Sequence, residues 1–161
     1  DSARVVTYGT SAGGHLALMA GMLPESNDID LPQCKDLPTV AAILDFYGPT
    51  DLVDITSPEN KRSWAARWIA DSADPAAMAK RMSPMTYVRS GIPPVFIVHG
   101  DSDPTVPYAQ SVRLQKALDS TNVPNKFITV PGGLHGKFED REKRTIQSAA
   151  GDFLMERKLV R

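Results

Sequence analysis

The chain has 161 residues, 42% apolar and 23% charged, with 18 Lys and Arg against 19 Asp and Glu and a formal net charge of -1. A chain of that length buries roughly 70% of the surface its unfolded form exposes, enough for one full core but not two. The balanced charge argues against a protein built to grip nucleic acid, which shows a basic excess, and no apolar run approaches the roughly 20 residues of a membrane-spanning helix.

Short β-branched and apolar runs alternate with helix-like stretches, which predicts an α/β fold with a mostly parallel sheet and flanking helices. The chain starts at Asp1, and Arg4-Val5-Val6-Thr7-Tyr8 already reads as strand, so a piece of a longer chain is expected, with any signal peptide lying upstream. The first predicted strand covers 5–9, and a helix follows through 16–20 and stops near Pro24. The lone Cys34 forms no internal disulfide and no thiolate cluster by itself. With no histidine near it in sequence, it is read as a small loop side chain.

The second predicted strand is 41–47, ended by Gly48-Pro49. The third is 95–99, entered through Pro93-Pro94 and closed by Gly100, and the fourth is 126–130, closed by Pro131-Gly132-Gly133. Leu114, Ala117 and Leu118 fall at helical spacing between the last two strands. Ile146, Ala149, Ala150 and Phe153 do so near the end, opposite a face carrying Arg141, Lys143 and Arg144. All four strands read as apolar on both faces, as strands between two helix layers should. The polar segment 52–91 reads as a cap-like insertion with two short helical stretches. In it Met78, Met82 and Met85 are expected to pack, and Lys61, Arg62, Lys80 and Arg81 to form solvated faces.

Gly9-Thr10-Ser11-Ala12-Gly13 fits G-x-S-x-G, with a strand directly before it and a helix directly after. That context puts Ser11 at the amino end of a helix, where unpaired backbone amides stabilise developing negative charge. The competing reading is a serine cap on a glycine-rich turn. A serine hydroxyl becomes nucleophilic only when a base takes its proton, so the motif demands a histidine, and the histidine a carboxylate. Of the three histidines, His15 sits one helical turn beyond Ser11 and is read as packing. His99 lies inside a strand and is read as a buried, hydrogen-bonded structural residue. His135, in Gly132-Gly133-Leu134-His135-Gly136, has room to swing over a substrate and is the candidate base. For the acid, Asp101 and Asp103 both follow the third strand, and loop geometry does not separate them, since Asp101 also suits a turn cap.

Two checks do not depend on the motif. The order Ser, Asp, His along the chain is that of α/β-hydrolases. The candidates also lie just past the carboxyl ends of separate predicted strands, the edge where open α/β sheets place their sites.

Four segments carry a resemblance: Gly9-Thr10-Ser11-Ala12-Gly13-Gly14-His15-Leu16-Ala17, Phe46-Tyr47-Gly48-Pro49-Thr50-Asp51-Leu52, Ser83-Pro84-Met85-Thr86-Tyr87-Val88, and His99-Gly100-Asp101-Ser102-Asp103-Pro104-Thr105-Val106-Pro107. Together, and in this order, they resemble α/β-hydrolase esterases of the BD-FAE and hormone-sensitive-lipase-like groups. The resemblance implies the C-terminal half of an α/β-hydrolase fold, with 1–161 a partial domain and 52–91 its cap-like insertion. It implies Ser11 as nucleophile, Asp103 as acid, His135 as base and the amide of Ala12 as one oxyanion donor. No metal or organic cofactor is expected, because no cluster of His, Cys and carboxylates in the sequence has ligand spacing. The resemblance further implies hydrolysis of carboxylic esters: acetyl, feruloyl or short acyl groups on small molecules or carbohydrates. Trp64 and Trp68, four apart and so on one helix face, are candidates for lining the substrate pocket, with core filling as the alternative.

These families draw a second oxyanion donor from a His-Gly-Gly-Gly-like loop upstream of the nucleophile, and this sequence has no such segment. Impaired catalysis by this chain alone is therefore expected. So is an unpaired edge on its first strand, leading to self-association or pairing with the missing N-terminal half. A prolyl-oligopeptidase-like peptidase, an arylformamidase and a non-catalytic fold remnant are the other readings.

Overall fold

A computed structural model describes residues 4–31 and 37–160; Cys34, and the reading of it as a loop residue, lie outside the described residues. The chain alternates strand and helix: β1 (Val5–Thr10), α1 (Ala12–Met22), β2 (Val40–Phe46), then α2 (Leu52–Thr56), α3 (Ser63–Ile69) and α4 (Pro75–Arg81) with a 3-10 turn at Pro84–Tyr87. It continues with β3 (Val95–Gly100), α5 (Ala109–Ser120), β4 (Asn125–Val130) and α6 (Asp140–Glu156). The sheet order is β1-β2-β3-β4 with every pair parallel, so successive strands sit side by side and each connection crosses over through a helix.

Successive strand side chains point to opposite faces, and the core divides accordingly. Ile43, Val95 and Ile97 meet Leu18 and Met22 of α1 and Leu114 and Leu118 of α5 on one face. Ala42, Leu44, Phe96 and Val98 meet Ile146 and Phe153 of α6 on the other. The last helix starts where a capping box predicts: the Glu139 side chain accepts from the helix backbone, and the Glu142 side chain accepts from the Glu139 amide at 2.8 Å.

The expectation that all four strands are sandwiched holds for β3, buried along its whole length, and for the middle of β2. It fails at the edges. Tyr8 of β1 is 62% exposed, and β4 is buried only at Val130, because a strand at the rim has helices and a neighbour on fewer sides. The β1 rim borders a groove of about 530 Å³ whose walls include Tyr8, Phe46, Tyr47, Phe138, Ile146 and Leu154.

The insertion also departs from the expectation, holding three α-helices and a 3-10 turn rather than two helical stretches. Helices of five to seven residues are too short to show a full hydrophobic period, and side-chain caps mark two of the three instead: at α2 and α4 the Asp51 and Asp74 side chains accept from the amides of Asp54 and Ala77. The insertion has its own small core of Leu52, Ile55, Ala65, Ile69 and Ala79, with Trp64, Met78 and Met82 packed on it, and Met85 packs on the sheet core instead. Of its basic residues, Lys61 and Lys80 are exposed. Arg81 is no free face: its guanidinium lies 3.4 Å from the Asp28 carboxylate and donates to the Asp28 carbonyl. Arg62 is half-buried.

Candidate active site

The turn from β1 into α1 reverses the chain at Ser11, whose φ of 54° and ψ of -122° lie where residues other than glycine rarely go. Two features hold it there. The Ser11 amide donates to the Phe46 carbonyl of β2 at 2.9 Å, and a Cβ on Gly9 would stand 2.0 Å from the Gly13 carbonyl oxygen, so only glycine lets the helix fold back onto the strand. The result lifts the Ser11 hydroxyl out of the sheet and leaves the Ala12 amide among the first N–H groups of α1, which have no partner inside the helix.

The loop after β4 brings His135 over that hydroxyl. His135 Nε2 lies 2.8 Å from Ser11 Oγ, and His135 Nδ1 lies 2.7 Å from Asp103 Oδ2. An ionised carboxylate only accepts, so Nδ1 carries the ring proton and Nε2 turns its lone pair to the serine. Asp103 Oδ1 accepts from the amides of Thr105 at 2.7 Å and Val106 at 3.1 Å. Burial alone would raise the Asp103 carboxyl, but hydrogen bonds from His99, His135 and those two amides outweigh it and hold it at about 2.

The geometry separates the two aspartates. Asp103 faces the imidazole, whereas Asp101 Oδ1 accepts from the Gly132 amide at 2.7 Å, fastening the β3 loop to the β4 loop that carries His135. The other histidines sit as expected and do more besides. His15 is buried, with Nδ1 3.0 Å from the Pro49 carbonyl, and burial pulls its pKa down against that bond. His99 is fully buried, and its Nε2 lies 3.2 Å from Asp103 Oδ2. Trp64 packs on the insertion core and meets Trp68 edge-on at 5.1 Å. Trp68 is 45% exposed and leans on His15 at 5.5 Å.

Two residues of the site were missed from sequence. Tyr47, at φ 46°, donates its amide to the Val98 carbonyl at 2.7 Å and sets its ring edge-on against His135 at 4.9 Å. Burial raises its hydroxyl's pKa, against a hydrogen bond with the Thr10 side chain. Asp45 is fully buried beneath the serine turn. Its Oδ1 accepts the Gly48 amide at 3.0 Å, its Oδ2 has no partner among the described residues, and burial pushes it up to about 8 against the Gly48 bond. A Cβ on Gly14 would stand 2.3 Å from that carboxylate, so the helix can pass over it only at a glycine. A lone acid inside the apolar run Ala41-Ala42-Ile43-Leu44-Asp45-Phe46 was the available signal. Among the described residues no three His, Cys, Asp or Glu side chains group as metal ligands.

Comparisons with known proteins agree with this architecture. Esterase LipQ of Mycobacterium tuberculosis is 32% identical over 162 residues, covering 93% of this chain and 37% of LipQ. The structure of esterase Est2 from Thermogutta terrifontis superposes with a TM-score of 0.72 at 27% identity, over 94% of this chain and 54% of that one. A truncated carbohydrate esterase from gut microbiota gives 0.66 at 30% identity, over 93% of this chain and 58% of that one. The chain thus spans between about a third and somewhat over half the length of these relatives. The BD-FAE family matches residues 1–118, which include the serine turn and Asp103 and end before His135, and the chain belongs to that family.

Proposed function

We propose that this chain carries the catalytic machinery of a serine esterase that cleaves carboxylic esters through an acyl-enzyme. The supporting observation is the unbroken hydrogen-bond path from Ser11 Oγ through His135 to Asp103, 2.8 and 2.7 Å long, in a protein whose relatives include esterases. In this reading His135 Nε2 takes the Ser11 proton as Oγ attacks the ester carbonyl, and Asp103 stabilises the imidazolium that forms. The oxyanion of the tetrahedral intermediate meets the Ala12 N–H at the positive end of α1. Collapse expels the alcohol, protonated by His135, and a water then cleaves the acyl-serine by the same route.

The similarity to a carbohydrate esterase supports acetyl, feruloyl or short acyl esters of carbohydrates or small molecules as the substrate class. Trp68, exposed beside His15 one turn along from the nucleophile, together with Trp64 is proposed to flank the bound ester. The second oxyanion donor is proposed to come from a segment that pairs with β1, whose rim position and neighbouring groove support pairing with another segment or another copy. Without that donor, turnover is expected to be roughly a hundredfold to a thousandfold lower.

A fluorophosphonate probe tests the reading. Covalent mass on Ser11, absent from Ser11→Ala, supports it; no labelling of Ser11 overturns it in favour of a non-catalytic remnant. Hydrolysis of p-nitrophenyl acetate but not of a peptide anilide separates esterase from peptidase.

A further inference from the structure

The ring of His99 is fully buried at the carboxyl end of β3, and each of its nitrogens is spoken for. Nδ1 lies 2.7 Å from Ser111 Oγ in the first turn of α5. Nε2 faces two oxygens, the Val106 carbonyl at 3.1 Å and Asp103 Oδ2 at 3.2 Å. A carbonyl and an ionised carboxylate only accept, so the proton of a neutral His99 ring sits on Nε2, and Nδ1 takes a hydrogen bond from the Ser111 hydroxyl. Among the described residues, Tyr108 also packs on the ring, edge-on at 5.9 Å, with its hydroxyl paired with Thr129.

We propose that His99 is a positioning residue of the hydrolytic site: locked in its Nε2–H form by Ser111, it shares Asp103 Oδ2 with His135 Nδ1 and thereby sets both the direction of that carboxylate and the charge it presents to His135. The inference rests on the serine-esterase reading above. Asp103 Oδ1 accepts from two amides and Oδ2 from His135 Nδ1, and the His99 Nε2–H, hydrogen-bonded to the Val106 carbonyl, lies 3.2 Å from that same Oδ2, so four N–H groups face the one carboxylate. The two imidazoles also compete for one oxygen. Every share of charge drawn by the His99 N–H is withheld from the imidazolium that His135 becomes, so removal of His99 makes His135 more basic while loosening the group that aims it. A histidine that merely fills the core would alter stability but neither of these properties.

The test uses the full chain and reads the rate of fluorophosphonate labelling of Ser11 against pH in the wild type, His99→Phe and Ser111→Ala, alongside ¹⁵N NMR of the wild-type imidazoles. In His99→Phe the rate is expected to fall at least about tenfold, a fraction of the 10²–10⁴ that a positioned base supplies, and its acid limb to move to higher pH. Ser111→Ala, which removes only a hydroxyl, is expected to move the limb in the same direction with a smaller fall, and wild-type His99 to be protonated on Nε2. An acid limb unmoved in His99→Phe, or wild-type His99 protonated on Nδ1, overturns the proposal. If His99→Phe does not fold, an unmoved limb in Ser111→Ala overturns it instead. Should the wild type take no label at all, the esterase reading is what fails, and the tautomer of His99 alone decides this inference.

Discussion

His135 Nε2 stands 2.8 Å from Ser11 Oγ although 124 positions separate the two residues in the chain. The approach depends on Tyr47, whose ring braces the imidazole, and on the Phe46 carbonyl, which holds the Ser11 amide, so one turn at the end of β2 supports both partners. Under the proposed mechanism the two residues act as a unit, so Ser11→Ala and His135→Ala are each expected to cut ester hydrolysis by about 10³-fold or more, and the double variant to lose no more than the worse single. Additive losses measured with p-nitrophenyl acetate would show that the two groups work separately.

The two aspartates of the β3 loop are expected to differ sharply. Asp103→Asn removes the charge that fixes the His135 tautomer and should lower kcat by about 10³- to 10⁴-fold with KM little changed. Asp101→Asn keeps an oxygen for the Gly132 amide and should cost less than about tenfold. Equal losses in the two variants would contradict the assignment of the acid.

Asp103 also marks an acid limit to stability. Its folded pKa of about 2 lies below the 3.8 of a free carboxyl, so the stabilisation it lends is present above 3.8 and is lost as pH falls toward 2. Chemical denaturation of the wild type and Asp103→Asn is expected to show the wild type losing stability more steeply over that interval; parallel curves would count against the shift.

Asp45 is expected to act in the opposite sense. Its folded pKa of about 8 exceeds the free value of 3.8, so between these pH values the unfolded chain releases a proton that the folded chain keeps, and stability falls as pH rises. The slope is about 1.4 kcal/mol per pH unit at most. Asp45→Asn keeps an acceptor for Gly48 and removes the titration, so its stability relative to wild type should climb from pH 4 to 8, a window set by those two values. Subtracting the two curves cancels the His15 contribution, which runs the other way below its ordinary pKa of 6.5. A flat difference curve would mean that Asp45 finds a partner for its second oxygen.

Gly9→Ala places a methyl 2.0 Å from the Gly13 carbonyl oxygen, backbone that cannot step aside without moving Ser11. A loss of about 2 kcal/mol or more in stability is expected, together with loss of Ser11 labelling. Thermal melts and probe labelling check both; a variant that labels at the wild-type rate would show the turn to be softer than its geometry implies.

What local sequence decided is what short-range sterics and periodicity control. Four apolar runs became four parallel strands, and helical spacing marked α5 and α6. Two glycines around Ser11 declared a turn that bulkier residues do not make. The order of Ser11, Asp103 and His135 and their strand-end positions were legible for the same reason. Loop geometry left the two aspartates of the β3 loop open and only the resemblance pointed to Asp103; the tertiary structure turns Asp103 inward, because that depends on where the Thr105 and Val106 amides, His99 and the Gly132 amide lie around two side chains only two positions apart. It likewise decided that Asp45 Oδ2 has no partner among the described residues, that Tyr47 braces the imidazole, and that β4 is half open. Those are properties of packing between distant segments, and no local pattern carries them.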